Sequence, residues 1–144
     1  MNITTPNNST AMVAAVHAIY PAALGIELEN MIFFISSQQC RDSDDIALWE
    51  FHSDGTTGYW APMIDKDTVT VACPNYYENA DMDRLSFGAA VTFMAINHLV
   101  WMLHEKWPGS PALKALVKKQ DALYDLMYRD NTTLDTSAIY NFLD

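Results

Sequence analysis

Four histidines and two cysteines are the side chains of this 144-residue chain best suited to act as bases, nucleophiles or metal ligands. His98 and His104 are six residues apart, so they point in different directions on a helix, and no HExxH motif is present. Cys40 and Cys73 form no CxxC unit, and P-loop, GxGxxG and GxSxG motifs are also absent. We therefore predict no catalytic residue, no metal site and no cofactor. We interpret His98 as a hydrogen-bonded core histidine and His104 as a helix-end residue.

Carboxylates are concentrated in the middle of the chain. Residues 42–83 contain ten acids and one base, Lys66, and so carry −9 of the formal net charge of −10. The 41 residues before this region carry −1, and the 61 residues after it are neutral. A carboxylate pair could work as acid and base or bind Mg²⁺. However, the closest approach to an EF-hand loop, Asp42-x-Asp44-Asp45, lacks the glycine and the terminal glutamate.

This charge distribution restricts the class of partner. A pI near 4.5 disfavours binding to the phosphates of nucleic acids and to anionic membrane surfaces. An acidic face attracts basic protein surfaces, including those of proteins that handle DNA. The alternative interpretation is a solvated acidic face that serves only solubility.

Length and composition predict a single domain, since half of the residues are apolar and only 18% are charged. We expect a flexible segment over residues 1–10 and one domain over residues 11–144. Apolar periodicity of helical type predicts three helices, at 28–39, 86–105 and 112–129. Alternating and β-branched runs predict three strands, at 46–52, 58–61 and 68–73. Two further segments, 11–20 and 136–143, fit either short helices or extended arms.

These elements predict an α+β fold, with a small antiparallel sheet of about three or four strands packed with a central buried helix and several further helices. The segment 74–83 is interpreted as an acidic connection, and Ser86 as the N-cap of the central helix. That helix is nearly long enough to cross a membrane, but the polar pair Asn97-His98 interrupts its apolar run and favours a core helix. The N-terminus lacks the basic start and apolar run of a signal peptide, so we expect a cytoplasmic protein.

Short motifs follow one another in a characteristic order along residues 20–144. They are Tyr20-Pro21, Leu28-Glu29 and Ile32-Phe33; Trp49-Glu50-Phe51; Gly58-Tyr59-Trp60-Ala61-Pro62; Asn75, Met82 or Leu85, Ser86 and Ala89-Ala90; Asn97-His98-Leu99; and Ser137-Ala138-Ile139-Tyr140 with Leu143-Asp144. Their order resembles the ArdB/KlcA type of antirestriction protein, which is found on plasmids, phages and genomic islands. Two positions depart from that pattern. The turn after the first strand is Asp54-Gly55-Thr56-Thr57-Gly58, and Gly88 stands where an acidic residue is expected.

The resemblance implies a protein that is not an enzyme and that interferes with type I restriction–modification, protecting incoming mobile DNA. The partner would be a host defence complex, bound by a monomer or homodimer through the acidic middle region with exposed aromatic side chains as anchors. The residues that we expect to bind it are Asp44, Asp45, Glu50, Asp54, Asp65 and Asp67. The aromatic residues near these acids, which more commonly build core on strands, are Trp49, Phe51, Tyr59, Trp60, Tyr76 and Tyr77.

Two alternatives stay open at this point. The target could be another defence nuclease, such as a CRISPR effector. The chain could also be a small hydrolase or metal-dependent enzyme that uses His98 or His52 with nearby carboxylates. That alternative requires at least three such side chains to converge in one pocket.

Overall fold

The computed structural model describes residue 3 and residues 9–46, 48–72 and 79–143. Within these residues the chain forms five α-helices and four strands, which confirms the predicted α+β class. In chain order they are α1 (Ser9–Ile19), α2 (Ala22–Gln39), β1 (Leu48–Ser53), β2 (Gly58–Met63), β3 (Thr68–Ala72), β4 (Asn79–Asp83), α3 (Arg84–Lys106), α4 (Pro111–Tyr128) and α5 (Thr136–Leu143). The two segments that fitted either helix or arm are therefore helices. Most of the segment 1–10 lies outside the described residues.

The strands pair in two separate antiparallel ladders, whereas the sequence analysis expected one sheet of about three or four strands. β1 pairs with β2 from Leu48↔Met63 to Ser53↔Gly58, and β3 pairs with β4. The other edge of β3 is already occupied, because Arg41 N donates to Thr70 O (2.8 Å) and Cys40 bridges Val71. β2 therefore finds no open edge on β3.

β4 was interpreted as part of a connection, and that interpretation was wrong over residues 79–83. Its sequence, NADMD, consists mainly of residues that are uncommon in strands. The ladder with β3 and the burial of Met82 override that weak propensity. Propensity thus failed at an edge strand, where pairing with β3 and the burial of Met82 decide the conformation.

Helix α3 lies at the centre of the fold and packs against β2, α2, α4 and α5. It begins two residues earlier than predicted, because Asp83, and not Ser86, is the N-cap: its carboxylate accepts a hydrogen bond from Ser86 N (2.9 Å). α3 has the length and hydropathy of a membrane span, but more than half of its apolar stretch is buried against the rest of the chain. The predicted central core helix is confirmed.

Gly88 explains how closely α3 approaches β2. A Cβ atom at this position would lie 2.6 Å from the Ala61 Cα atom, inside van der Waals contact. Beside this contact, Trp60 N donates to Thr92 Oγ1 (3.1 Å). The departure from the family's pattern at Gly88 thus has a packing reason, since the position cannot hold a side chain.

The β1–β2 aromatic residues build the core, as is usual for strands. Phe51, Tyr59 and Trp60 are buried, and the Trp60 ring stacks on Tyr20 at a centroid distance of 5.6 Å. The Tyr20 hydroxyl donates to Gly58 O (2.8 Å), which ties α1 to the hairpin. Trp49 alone among the described strand aromatics is partly exposed. Tyr76 and Tyr77 lie outside the described residues.

Candidate functional site

The connection between α2 and β1 and the turn between β2 and β3 meet at one edge of the molecule. Lys66 Nζ lies 2.9 Å from an Asp42 carboxylate oxygen and 3.4 Å from one of Asp45. The second Asp42 oxygen accepts a hydrogen bond from Thr70 N (2.7 Å). We name residues 42–46 and 64–67 together the acidic edge; it contains five aspartates and one lysine.

Four of the six expected binding residues lie on the acidic edge: Asp44, Asp45, Asp65 and Asp67. All four are exposed. Asp45 shares Lys66 with Asp42, whereas Asp44, Asp65 and Asp67 make no hydrogen bond or ion pair with any residue that the structure describes. Their carboxylates are therefore available to a partner.

Asp42, which was not among the expected binding residues, has a structural role at this edge. The hydrogen bond from Thr70 N, followed by that from Lys66, lowers the pKa of its carboxyl group. The same contact raises the pKa of Lys66. The pair therefore joins the 64–67 turn to the segment that follows α2, and it places Lys66 beside both Asp42 and Asp45.

Glu50 lies next to the acidic edge, on a concave surface that Ile64 and Asp65 also line, but its carboxylate is engaged by the fold. Its carboxylate is paired with the Arg84 guanidinium and lies 3.1 Å from His52 Nε2. Burial raises the pKa of Glu50, but the hydrogen bonds from Arg84 and His52 outweigh it and leave the pKa lowered. The Tyr59 ring stacks on His52, and burial, together with the charges of Asp83 and Glu50, raises the pKa of Tyr59 to about 12. Glu50 is thus bound within the fold.

Asp54 is also engaged by the fold, at the opposite end of the β1–β2 hairpin. One of its carboxylate oxygens accepts hydrogen bonds from Thr56 N and Thr57 N, both at 2.9 Å, and so closes the turn. Lys119 of α4 supports the same turn by donating to Thr56 O (2.7 Å). The two strands of the hairpin lie between this turn and the acidic edge, and each strand spans five residue steps, or about 17 Å.

An aromatic pair adjoins the acidic edge. The rings of Phe33 on α2 and Trp49 on β1 are 5.9 Å apart at their centroids. They wall a notch of about 330 Å³ that also contains Ser36, Ser37 and Asp44. Trp49 was among the aromatic residues predicted to lie near the acids, whereas Ser36 and Ser37 were not predicted as site residues. The signal that could have found them is the helical spacing of Phe33, Ser36 and Ser37 on one face of α2.

A second concave surface lies between α2 and α3. This groove of about 630 Å³ is mainly apolar, with Phe34 and Trp101 on its walls and Glu27 and His98 among its polar groups. His98 is exposed, so its interpretation as a core histidine was wrong. The core-facing apolar side chains of α3 lie on a different side of the helix from His98, so its imidazole faces the groove. His104 lies exposed near the end of α3, as predicted.

No group of three or more His, Cys, Asp or Glu side chains that could hold a metal ion occurs among the described residues. His52 meets a carboxylate, as the hydrolase alternative requires, but that carboxylate is already paired with Arg84. Burial lowers the pKa of His52 and raises the pKa of the Cys40 thiol. Cys73 lies outside the described residues.

Comparison with known proteins gives a likeness of fold. No protein-family model matches the sequence, and no curated protein matches it. The chain is similar to a solved structure of the KlcA and ArdB proteins, which show a novel fold and antirestriction activity against type I DNA restriction systems in vivo but not in vitro. The TM-score is 0.73 at 15% sequence identity, over 100% of this chain and 96% of that chain. The fold that the sequence motifs implied is thus the fold of this chain.

Proposed function

We propose that this chain is the antirestriction protein of a mobile element, which acts in the host cytoplasm by inhibiting a type I restriction–modification complex. It works through protein–protein contact and catalyses no reaction. The observation that carries the proposal is the likeness of the whole chain to KlcA and ArdB, at a TM-score of 0.73. Because one fold can host several functions, the surface chemistry has to support the proposal as well.

The acidic edge supplies that support. It contains four exposed carboxylates, and one of them, that of Asp44, lines a notch together with Phe33 and the partly exposed Trp49. Carboxylates attract the basic surfaces of enzymes that bind DNA, and aromatic side chains are common energetic anchors in protein interfaces. The long-range part of this attraction is screened beyond about 8 Å at physiological ionic strength, so association should weaken as salt is added.

The polar groups around His52 support a role without catalysis. Glu50 is bound to Arg84, and the His52 ring is covered by Tyr59 at a centroid distance of 5.3 Å. An acid–base pair needs one group free to exchange protons with a substrate. We therefore interpret this cluster as an ion-pair network that joins β1 to the start of α3.

The test is made in cells, because KlcA and ArdB show their activity in vivo but not in vitro. The chain is expressed in a host with a type I system, and the plating of unmodified phage is measured. We expect protection by the natural chain and loss of most of it when the four carboxylates of the acidic edge are reversed. That variant is Asp44→Lys, Asp45→Lys, Asp65→Lys and Asp67→Lys.

A matched control reverses four exposed acids on the helical side, which changes the net charge by the same amount. Its substitutions are Glu105→Lys, Asp121→Lys, Asp125→Lys and Asp130→Lys. We expect this control to protect like the natural chain. Failure of the natural chain to protect would refute the antirestriction function, and equal protection by both variants would remove the acidic edge from the mechanism.

The partner is identified by co-purification of the tagged chain from the restricting host, read by mass spectrometry. Subunits of the type I complex should be recovered with the natural chain and depleted with the acidic-edge variant. If a different defence nuclease is recovered with the natural chain and depleted with the acidic-edge variant, the partner is not a type I complex.

A further inference from the structure

The notch beside the acidic edge has a lining that the function proposed above does not explain. Its walls are the rings of Phe33, which is 46% exposed, and Trp49, and Asp44 lies among the lining residues. Ser36 and Ser37 complete it from α2. Its volume of about 330 Å³ is at the small end of ligand-binding pockets, which span about 300–1,000 Å³, so it suits one side chain better than a whole helix.

Hydrogen-bond acceptors and aromatic faces dominate this lining. Asp44 has no hydrogen bond or ion pair with the described residues, so its carboxylate can accept from a ligand. Ser37 donates its hydroxyl hydrogen to Phe34 O (2.7 Å), which leaves the lone pairs of its oxygen available. Lys66, the one lysine of the acidic edge, is paired with Asp42 and Asp45 and is not among the lining residues.

Ser36 gives an independent sign that the notch binds a polar group. Its side chain is 98% buried, at 2% exposure, and its hydroxyl oxygen has no hydrogen-bond partner among the described residues. Buried hydroxyl groups are usually satisfied by protein or water, because an unsatisfied one costs free energy. Because Ser36 lines the notch, a hydrogen-bond donor that enters the notch can satisfy this oxygen.

We propose that the notch between Phe33, Trp49 and Asp44 binds an arginine side chain of the partner protein. A guanidinium group carries five N–H donors in a planar fork, so it can bond the Asp44 carboxylate and a serine oxygen at once. The same plane stacks on aromatic faces, among which tryptophan attracts cations most strongly. This inference rests on the proposed function only in naming the inhibited complex as the source of the arginine.

Other side chains fit the notch less well. A lysine ammonium is a compact, strongly hydrated charge that cannot stack on Trp49 as a plane. An apolar side chain would leave the hydroxyl of Ser36 unsatisfied and would exclude water from the Asp44 carboxylate. An acidic side chain would be repelled by the charge of the acidic edge.

The direct test uses the purified natural chain and N-acetylarginine amide, observed by ¹H–¹⁵N NMR. The indole N–H signal of Trp49 is assigned by its loss in Trp49→Phe. We expect this signal to shift saturably, at millimolar affinity, with N-acetylarginine amide. N-acetylcitrulline amide, which replaces the guanidinium by an uncharged urea of the same shape, should bind about fivefold more weakly. No shift, or equal shifts with both probes, would overturn the arginine site.

Two matched variants test the carboxylate. Asp44→Asn should weaken arginine binding about threefold or more, whereas Asp67→Asn makes the same charge change outside the notch and should leave binding within about twofold. Both positions are exposed, so neither variant should unfold the chain. Equal weakening by the two variants would contradict a specific contact with Asp44.

The NMR readout separates this inference from the antirestriction function. If the natural chain protects phage but its Trp49 signal ignores arginine, the notch is wrong and the proposed function stands. If arginine binds but the natural chain gives no protection, the notch stands as an arginine site and the proposed function is wrong. If both hold, Asp44→Asn combined with Trp49→Phe should reduce protection more than Asp67→Asn does.

Discussion

The acidic edge and the groove between α2 and α3 are two surfaces built on the same helix. Phe33 and Phe34 are neighbours in the chain, yet Phe33 walls the notch beside the acidic edge and Phe34 walls the groove. Both rings are substantially exposed, at 46% and 62%. The difference between the surfaces is therefore the charge around the rings and not their apolar character.

The helical repeat explains this division. Successive side chains on α2 are turned by about 100°, so adjacent phenylalanines must face different neighbours. Phe33 faces β1 and the 42–46 connection, where aspartates are dense, and Phe34 faces α3. One helix can therefore serve two surfaces of different chemistry, because the elements packed beside it supply different charges.

The largest effect on stability is expected at the contact between α3, which walls the groove, and β2, which leads into the acidic edge. Gly88→Ala places a Cβ atom 2.6 Å from the Ala61 Cα atom of β2, so α3 and the hairpin must separate. We expect a loss of about 3 kcal/mol in the free energy of unfolding, measured by urea denaturation. Gly109→Ala, at a loop with open space but positive φ, is the comparison, with an expected cost of about 1 kcal/mol. Equal losses would contradict the close approach of α3 to β2.

A smaller effect is expected from the ion pair that binds Glu50. Arg84→Gln leaves a carboxylate that is 18% exposed without its guanidinium partner. We expect a loss of about 1 kcal/mol, because partial exposure of Arg84 screens the pair. A double-mutant cycle with Glu50→Gln measures the coupling. Protection against restriction should persist in the folded variants. Loss of protection would show that Glu50 is part of the binding surface.

Acid should destabilise the strand region in two stages. The pKa of His52 is lowered from its ordinary 6.5, chiefly by burial, so below pH 6.5 the unfolded chain binds a proton that the folded chain does not, and stability falls. The pKa of Glu50 is lowered from 4.5, so the stability that it contributes above that pH is lost as pH falls further. Tm measured by circular dichroism should show both stages. His52→Gln should remove the first stage and weaken the second, because His52 contributes to the lowered pKa of Glu50. If the first stage is unchanged in His52→Gln, the titration of a group other than His52 causes it.

The smallest effect is expected in the groove. Phe34→Ser and Trp101→Ser change side chains that are 62% and 61% exposed, so the free energy of unfolding should change by about 0.5 kcal/mol or less. Phage protection should equal that of the natural chain. Phe33→Ser, the neighbouring substitution in the notch, should reduce protection. The reverse result, with the groove variants inactive and Phe33→Ser active, would show that the binding surface is the groove and not the acidic edge.

Patterns of local sequence predicted most of the elements. The spacing of Leu28 and Ile32 predicted α2, and the apolar run after Ser86 predicted α3 as the central helix, because burial of one apolar face is a local property of a helix. β4 could not be predicted, since its strand conformation depends on pairing with β3 and on the burial of Met82. The N-cap was also misplaced, because Asp83 and Ser86 are both suitable residue types and only the hydrogen bond between them decides.

The candidate site could likewise be predicted only in part. The acidity of residues 42–83 could be read from composition, but it gave Glu50 and Asp54 the same weight as the exposed aspartates. Both are bound by groups distant in sequence or by the turn itself, such as Arg84, which is 34 positions away from Glu50.

Composition and the periodicity of single segments are sufficient to predict the α+β class, the central helix and the excess of negative charge, because each of these is a local property. Which carboxylates are available to a partner depends on contacts between distant segments, so it is visible only in the folded chain. The folded chain also shows that Phe33, Trp49 and Asp44 line one notch, because only the packing of α2 beside β1 brings the two rings to a centroid distance of 5.9 Å.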